Sequence, residues 1–291
     1  MRYTTLNTYL KERFGCKVYK LAIDGGFTCP NRDGTLGTRG CIFCSKGGSG
    51  DFAEDRALTV TEQIERGKER VCAKIKDGKY IAYFQAFTNT YAPVDVLRAK
   101  YTEAIAHPDI VAISIGTRPD CLGEDVLKLL DELKRIKPVF VELGLQTIHE
   151  KTAEYIRRGY PLEVYDKAVR DLHAIDINVV THLILGLPGE STKDIIESVK
   201  YVCQRTDGIK LQLLHILEGT DLAEEYRQGK VPVMTLDEYT DLIVKCVQVI
   251  PESVVIHRLT GDGAKRDLIA PLWSADKKMV INTIIKALSE N

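Results

Sequence analysis

The sequence lacks any long apolar run. No stretch reaches the ~18 consecutive apolar residues that predict a membrane span, and the opening MRYTTLNTYLKERFG lacks the apolar core of a secretory signal. We therefore expect a cytoplasmic protein with no membrane partner, in a compartment where thiols stay reduced. A disulfide framework is then excluded as the reason for the eight cysteines.

The chain also lacks an excess of charge of either sign. Its formal net charge is −1, which gives no overall electrostatic argument for nucleic-acid binding. A local basic stretch spans 66–79, but acidic residues interrupt it, which is typical of a solvated helix face. No linker, repeat or low-complexity tract divides the 291 residues. One structural unit is the simplest prediction: a core over 1–220 and a C-terminal extension over 221–291.

Short apolar runs rich in β-branched residues alternate with longer helical patterns. This alternation predicts right-handed βαβ units and a parallel sheet. A polar residue or glycine ends nearly every run, at the sheet edge where α/β barrels carry their active sites, so we favour a closed or partly closed barrel. The predicted strands are 18–23, 80–85, 110–115, 139–145, 178–185, 209–215 and 254–257.

Three cysteines follow the first predicted strand. Eleven residues separate Cys29 from Cys41, and two separate Cys41 from Cys44. Thiolates are the usual ligands of iron–sulfur clusters, and three of them would leave one iron open for a substrate or cofactor. A zinc site is the alternative, but it needs four ligands. Cys16 lies at the other end of a six-residue strand, ~20 Å away.

These motifs resemble a known family. The cysteine pattern is similar to that of radical S-adenosylmethionine (SAM) enzymes, although most of those separate the first two cysteines by only three residues. Phe43 keeps the aromatic position before the last cysteine. The longer gap resembles the YhcC/YtqA subgroup, which is related to the catalytic subunit of Elongator. The motifs that carry this resemblance are GFTCPNRDG, GCIFC, YFQAFTNTYAP, SIGTRPDCL, ELGLQT, LILGLPGE, LLHILEGT and HRLTGD.

The resemblance implies a fold and a chemistry. The fold is an α/β partial (β/α)6 TIM-type barrel, a six-stranded curved sheet with the elements after His215 closing one side. Cys29, Cys41 and Cys44 would hold a [4Fe–4S] cluster whose open iron chelates SAM. An electron from a donor such as flavodoxin or ferredoxin would cleave SAM to a 5′-deoxyadenosyl radical, which then takes a hydrogen atom from the substrate.

The resemblance also implies cofactor-binding residues. Phe43 would pack near the adenine, Arg158 would contact the cofactor carboxylate, and His182 would occupy a ribose-contacting position. Gln85, with Thr88, stands where the wider family binds the methionyl amino group through a glycine-glycine-glutamate run that is absent here. The remaining candidates end the third and fourth strands: Ser114, Gly116, Thr117, Arg118 and Gln146.

Residues near the predicted strand ends are candidates for substrate contact. They are His215, His257 and Arg258, with Cys121 as a hydrogen donor or nucleophile. Cys72, Cys203 and Cys246 lie on helical patterns and are interpreted as buried apolar residues.

The resemblance implies a tRNA substrate. Enzymes of this kind are linked to alteration of the wobble uridine, here the conversion of a carboxymethylaminomethyl side chain to an aminomethyl one. Two alternatives stay open at this point. The same chemistry would suit a small metabolite or a protein side chain, and the cysteines would also suit a non-catalytic iron–sulfur or zinc scaffold.

Overall fold

Parallel strands alternate with helices through most of the chain. The computed structural model describes residues 3–48, 50, 52–75, 78–261, 263 and 265–290. The strands are β1 (Val18–Ile23), β2 (Lys79–Phe84), β3 (Ile110–Thr117), β4 (Val139–Gln146), β5 (Asn178–Leu185), β6 (Gly208–Leu213), β7 (Ile216–Leu217), β8 (Val255–Arg258) and β9 (Leu268–Ala270). The helices are α1 (Leu6–Phe14), α2 (Val60–Val71), α3 (Val94–Ala106), α4 (Glu124–Lys134), α5 (Glu150–Tyr155), α6 (Leu162–Ala174), α7 (Thr192–Cys203), α8 (Asp221–Arg227), α9 (Leu236–Val249) and α10 (Lys277–Glu290).

The sheet is a curled parallel half-barrel. Its strand order is β1-β2-β3-β4-β5-β6-β8, and β7 pairs with β9 in a separate antiparallel ribbon. The predicted partial barrel is confirmed, but the sheet has seven strands where six were expected. The seventh is β8, because the apolar run VVIH of the C-terminal segment returns beside β6 and pairs with it in parallel. Strands β1 and β8 therefore form the two edges.

Local sequence signals set the helix ends. Three helices begin with a capping box, in which a hydroxyl and an acidic side chain satisfy free backbone N–H groups reciprocally. The hydroxyl residues are Thr59, Ser191 and Thr235. Strands such as β3 are buried along almost their whole length because helices cover the sheet. Among the described residues, no helix is both long and apolar enough to cross a membrane.

Candidate active site

A cavity of about 250 Å³ lies at the carboxyl ends of the strands. Most of the predicted site residues line it, drawn from the loop after β1, from four strands of the sheet and from the segments that follow the strands. They are Cys29, Cys41, Phe43, Cys44, Gln85, Gly116, Thr117, Arg118, Gln146, Arg158, His182, His215 and Arg258. The topology therefore gathers residues that are far apart in sequence around one void.

Three predicted site residues lie elsewhere. Ser114 is fully buried and donates a hydrogen bond to Glu142 Oε1 at 2.6 Å. Cys121 faces a separate shallow cavity beside Asp120, and His257 lines a larger second cavity. Their predicted roles in cofactor or substrate contact stay predictions. Asp262, the last residue of the HRLTGD motif, lies outside the described residues.

The cysteine-bearing loop is held in place by its own side chains. Asn31 donates from Nδ2 to the carbonyl of Arg157 at 2.7 Å, and the same amide lies 3.5 Å from Cys41 Sγ. Arg32 donates to the carbonyls of Cys44 and Ser45 at 3.0 and 2.6 Å. These bonds fix the path of a segment that has no regular structure, and so help to position the thiols of Cys41 and Cys44.

The thiols suit a polynuclear cluster better than a single zinc ion. Burial raises the pKa of Cys41 to about 12, with the neighbouring Cys44 adding to the effect, so a metal is needed to favour its thiolate. Tetrahedral zinc with Zn–S bonds of ~2.3 Å requires sulfurs ~3.8 Å apart. The three cysteine sulfurs are not all within 4.8 Å of one another. Among the described residues that line the cavity, no fourth cysteine accompanies them.

Gly159 sets the position of Asn31. Its φ is +82°, and a Cβ there would lie 2.9 Å from Asn31 Oδ1. We expect Gly159→Ala to lower the free energy of unfolding by ~1–3 kcal/mol and to reduce the iron bound per chain, because Asn31 must move away from Cys41. Gly189→Ala is the matched control, since Gly189 has φ +88° with nothing within 4 Å. Denaturant unfolding and iron analysis measure both; equal iron loss in the two variants would contradict the account.

Gln146 is strained and has an unused acceptor. Its φ is +71°, in the left-handed region that a glutamine rarely adopts. Its buried Oε1 has no hydrogen-bond partner among the described residues. Such an orphaned acceptor on a cavity wall is costly unless a ligand donates to it. Gln146 is therefore placed to accept a hydrogen bond from a bound molecule.

The two predicted cofactor arginines already hold groups of the protein. Arg118 pairs with both oxygens of Asp120, at 2.9 and 2.7 Å. Arg158 is 2% exposed and donates to the carbonyls of Thr147 and Tyr160 and to Glu150, at 2.7, 2.9 and 2.9 Å. Both line the cavity, but their strongest contacts organise the loops around it.

A buried layer of polar side chains crosses the barrel interior, and sequence reasoning missed most of it. Glu142 is fully buried, and all of its partners come from other strands. Its Oε1 accepts from Lys20 and Ser114, and its Oε2 contacts Lys210 and His182. Lys210 also donates to the Tyr83 hydroxyl at 3.1 Å. Charged and polar side chains therefore fill this part of the interior, which in a barrel is more often filled by apolar side chains.

Burial and neighbouring charges set the protonation of this layer. Burial opposes ionisation of Glu142, but Lys20, Lys210 and His182 hold its pKa well below the usual range. Burial lowers the pKa of His182 to about 4, with Lys210 acting in the same direction, so the imidazole is neutral near pH 7. Burial likewise lowers the pKa of Lys210 to about 7. The sequence did contain a signal for this layer, since a single charged residue interrupts three largely apolar strands, VYKLAI, VFVELGLQ and GIKLQL.

Comparisons with known proteins agree with this geometry. The model of the radical SAM superfamily matches residues 34–202, and that of the Radical_SAM C-terminal domain matches residues 206–290. The chain belongs to the radical SAM superfamily. Within it, the relatives below support its place in the Elongator-related YhcC/YtqA subgroup.

Two relatives match this radical SAM protein over most of its length. YtqA of Bacillus subtilis (strain 168) is 48% identical over 99% of this chain and 89% of its own. YhcC of Escherichia coli (strain K12) is 38% identical over 92% and 86%. The tRNA uridine(34) acetyltransferase of Methanocaldococcus jannaschii is 30% identical over 52% of this chain and 28% of its own.

A solved structure shares the fold. Elp3 of Methanocaldococcus infernus, with its N-terminus deleted, superposes with a TM-score of 0.67 at 18% identity, over 90% of this chain and 63% of that one. Superfamily membership implies a [4Fe–4S] cluster and SAM. The three convergent thiols and the orphaned Gln146 acceptor fit such a pair of groups.

Proposed function

We propose that this protein is a radical SAM enzyme that alters the wobble uridine of tRNA, converting a carboxymethylaminomethyl side chain to an aminomethyl one. The methylene next to nitrogen would be oxidised by two electrons at the expense of SAM, and water would then release the two-carbon fragment as glyoxylate. Cys29, Cys41 and Cys44 would hold the cluster, with reduction by a flavodoxin or ferredoxin. When bound, the cluster and SAM supply a radical that abstracts a hydrogen atom from a C–H bond. The chain's own part is to position the substrate methylene next to nitrogen and to shield the radical from bulk solvent.

The observation that carries the proposal is the convergence of three thiols on a cavity that shares part of its wall with a second, basic one. The second cavity has a volume of about 1000 Å³ and lies beside the edge strands β1 and β8. The two share Tyr83, Gln85, Lys210 and Arg258 in their walls. A long polymer could therefore lie at the open side of the half-barrel while one residue reaches the thiols.

The charge of the second cavity supports a nucleic-acid strand. Among its described lining residues there is no aspartate or glutamate, although the whole chain has a net charge of −1. Phe52 on its wall is 47% exposed and, with Tyr19, offers a face on which a base can stack. The lining cations are Lys17, Lys20, Arg70, Lys74, Lys210, Arg258 and Lys277. Lys20 and Lys210 already pair with Glu142, and Arg70 pairs with Glu54. The other cations of this wall suit phosphates.

The relatives support the same substrate class. The archaeal relative named above is a tRNA uridine(34) acetyltransferase, and its similarity to this chain covers about half of this chain. A small metabolite is the second candidate, because the first cavity alone is only about 250 Å³. Salt-dependent tRNA binding separates the two candidates.

We expect the double variant Lys74→Glu with Lys277→Glu to weaken tRNA binding at least tenfold. Each lost phosphate contact reduces the slope of log K against log salt by about 1. Lys128→Glu, on the exposed face of α4 away from β1 and β8, is the control and should bind as the wild type does. Filter binding across a salt series measures all three. Equal affinity in the double variant and the control would argue for the metabolite.

The substrate itself is tested by mass spectrometry of tRNA nucleosides from a strain that lacks the gene. We expect carboxymethylaminomethyluridine to accumulate and the aminomethyl form with its products to disappear. Restoring the gene should reverse the change, and a gene carrying Cys41→Ser should not. An unchanged wobble-uridine profile would remove the tRNA claim and leave the superfamily assignment standing.

A further inference from the structure

His182 is hydrogen-bonded through both of its ring nitrogens. Nε2 lies 2.7 Å from Glu142 Oε2 on β4, and Nδ1 lies 3.2 Å from Gln212 Nε2 on β6. Gln212 is half-buried, follows Lys210 by two residues on the same face of β6, and lines the first cavity. A chain of hydrogen bonds therefore runs from the buried polar layer, through His182, to the cavity wall.

The ionised carboxylate of Glu142 fixes the direction of this chain. Against the effect of burial, Lys20 and Lys210 hold the pKa of Glu142 well below its usual range, so the carboxylate only accepts hydrogen bonds. His182 must then donate from Nε2. Burial lowers the pKa of His182 to about 4, so the ring is neutral and its Nδ1 is an acceptor. The amide of Gln212 can therefore only donate to His182.

The amide of Gln212 is thus held in one orientation. Rotating it by half a turn would place Oε1 against Nδ1 of His182, which are two acceptors with no proton between them. The contacts among the described residues give Oε1 no partner, and one N–H of the same amide also remains. Gln212 therefore presents an acceptor and a donor in a fixed order.

The cavity that Gln212 lines has features that suit a flat ring. Gly116 on β3 and Gly144 on β4 belong to its wall and leave open the space that side chains there would take. Ile184 also lines it and is in register with Gln212 on the neighbouring strand. Its apolar side chain suits one face of a ring. A planar heterocycle with a donor and an acceptor along one edge fits both features.

Uracil has such an edge. Its N3–H donates and its C4 carbonyl accepts, which complements the oxygen and the N–H of an amide. Cytosine presents an acceptor at N3 and a donor at C4, in the reverse order. An amide that could rotate would bind either order, whereas an amide fixed by His182 favours one.

We propose that Gln212 recognises the N3–C4 edge of the target uracil, and that His182 is a positioning residue that fixes the Gln212 amide for it. The inference rests on the proposed function, which supplies the uridine. The reacting side chain at C5 is adjacent to C4, so binding of this edge would hold that side chain in the cavity that the three thiols line. A ribose contact by His182 would require one of its two described bonds to break.

The test compares two anticodon stem-loop RNAs that carry carboxymethylaminomethyluridine with or without a methyl group on N3, bound to the reconstituted holoenzyme with SAM. We expect the wild type to bind the unmethylated RNA at least tenfold more tightly, because the methyl group removes the donor. Gln212→Met should reduce this preference below twofold. Gln212→Glu, which keeps the shape but has no N–H, should do the same. A preference in Gln212→Met equal to that of the wild type would overturn the proposal.

Gln228→Met is the matched control. Gln228 is exposed and lies outside the described lining of both large cavities, so this variant should keep the preference of the wild type. His182→Leu leaves Gln212 in place but lets its amide rotate, and its preference should fall below threefold. A full preference in His182→Leu would overturn the positioning role.

The cofactor is the other molecule that Gln212 would contact if the proposal were wrong. Titration of the electron paramagnetic resonance signal with SAM measures this alternative. We expect Gln212→Met to need a SAM concentration within twofold of the wild type. A tenfold higher requirement for SAM, with the RNA preference unchanged, would assign Gln212 to the cofactor and overturn the uracil contact.

A second pair of probes keeps the site testable if tRNA is not the substrate or a variant does not fold. Uridine and 3-methyluridine differ by the same methyl group, and thermal unfolding of the wild-type holoenzyme reports their binding at millimolar concentration. We expect uridine to raise the Tm and 3-methyluridine not to. No difference between the nucleosides, together with equal or no binding of the two RNAs, would overturn the uracil site. A shift with uridine alone, without RNA binding, would retain the site and overturn the tRNA substrate.

Discussion

Replacing Cys29, Cys41 or Cys44 by serine is expected to abolish 5′-deoxyadenosine formation. After anaerobic reconstitution the wild type should hold about four irons per chain, and each variant should hold far less and make at least 1000-fold less 5′-deoxyadenosine from SAM. The reason is geometric. The three thiols line one cavity without a fourth cysteine in its described wall, so no other thiol there can replace the lost ligand.

Cys72→Ser is the control for this experiment. The expectation that Cys72 is buried is wrong: it is an exposed free cysteine just after α2, outside the described lining of the cavity. It should keep its iron and its activity. Iron and sulfide analysis with chromatography of 5′-deoxyadenosine measures both outcomes. If a variant of Cys29, Cys41 or Cys44 kept full iron and activity, that residue would not be a cluster ligand.

Glu142→Gln should cost ~3–5 kcal/mol of unfolding free energy. Removing one charge from a buried network leaves its partners uncompensated, and here Lys20 and Lys210 would both lose their carboxylate. Glu132→Gln is the matched control, because Glu132 pairs with Arg98 at the exposed surface, and its unfolding free energy should be unchanged within error. Denaturant unfolding at pH 7 compares the two. A similar small effect in both would contradict the account of the polar layer.

The contribution of Glu142 to folding stability depends on pH with a definite sign. Lys20, Lys210 and His182 hold the pKa of Glu142 well below its usual range despite burial. The unfolded state, with a pKa of ~4.3, therefore binds the proton first as pH falls. The contribution of Glu142 is fully present above that value and is lost as pH falls through the folded-state pKa. Stability curves below pH 5 should be steeper for the wild type than for Glu142→Gln.

Strand positions could be predicted because buried parallel strands have a simple signature. The bounds of β1 and β5 agree with the prediction, and the other strands of the main sheet begin and end within two residues of it. The helices α1, α8 and α10 were not predicted. In α1 Leu10 alone is buried, and α8 is only seven residues long, so neither has a strong apolar periodicity. The pairing of β8 with β6 depends on a contact between distant segments, which periodicity does not reveal.

The residues of the candidate site were likewise predicted in part and missed in part. Motifs at strand ends placed most site residues around one cavity, because topology fixes where strand ends meet. The polar layer was missed except for His182, Ser114 and Arg258. A lysine in an apolar strand only breaks the hydrophobic pattern, and its role cannot be predicted until its partner is known. Lys20 and Lys210 are brought together by Glu142, which lies 122 and 68 residues from them in the sequence.

The most direct test of the central claim is electron paramagnetic resonance of the reduced, reconstituted protein with and without SAM. The account requires three thiol ligands and one iron open to the cofactor. It predicts a [4Fe–4S] signal that changes when SAM is added and does not change with methylthioadenosine, which lacks the amino and carboxylate groups that would chelate the open iron. A signal indifferent to SAM, or no cluster signal in oxygen-free preparations, would contradict it.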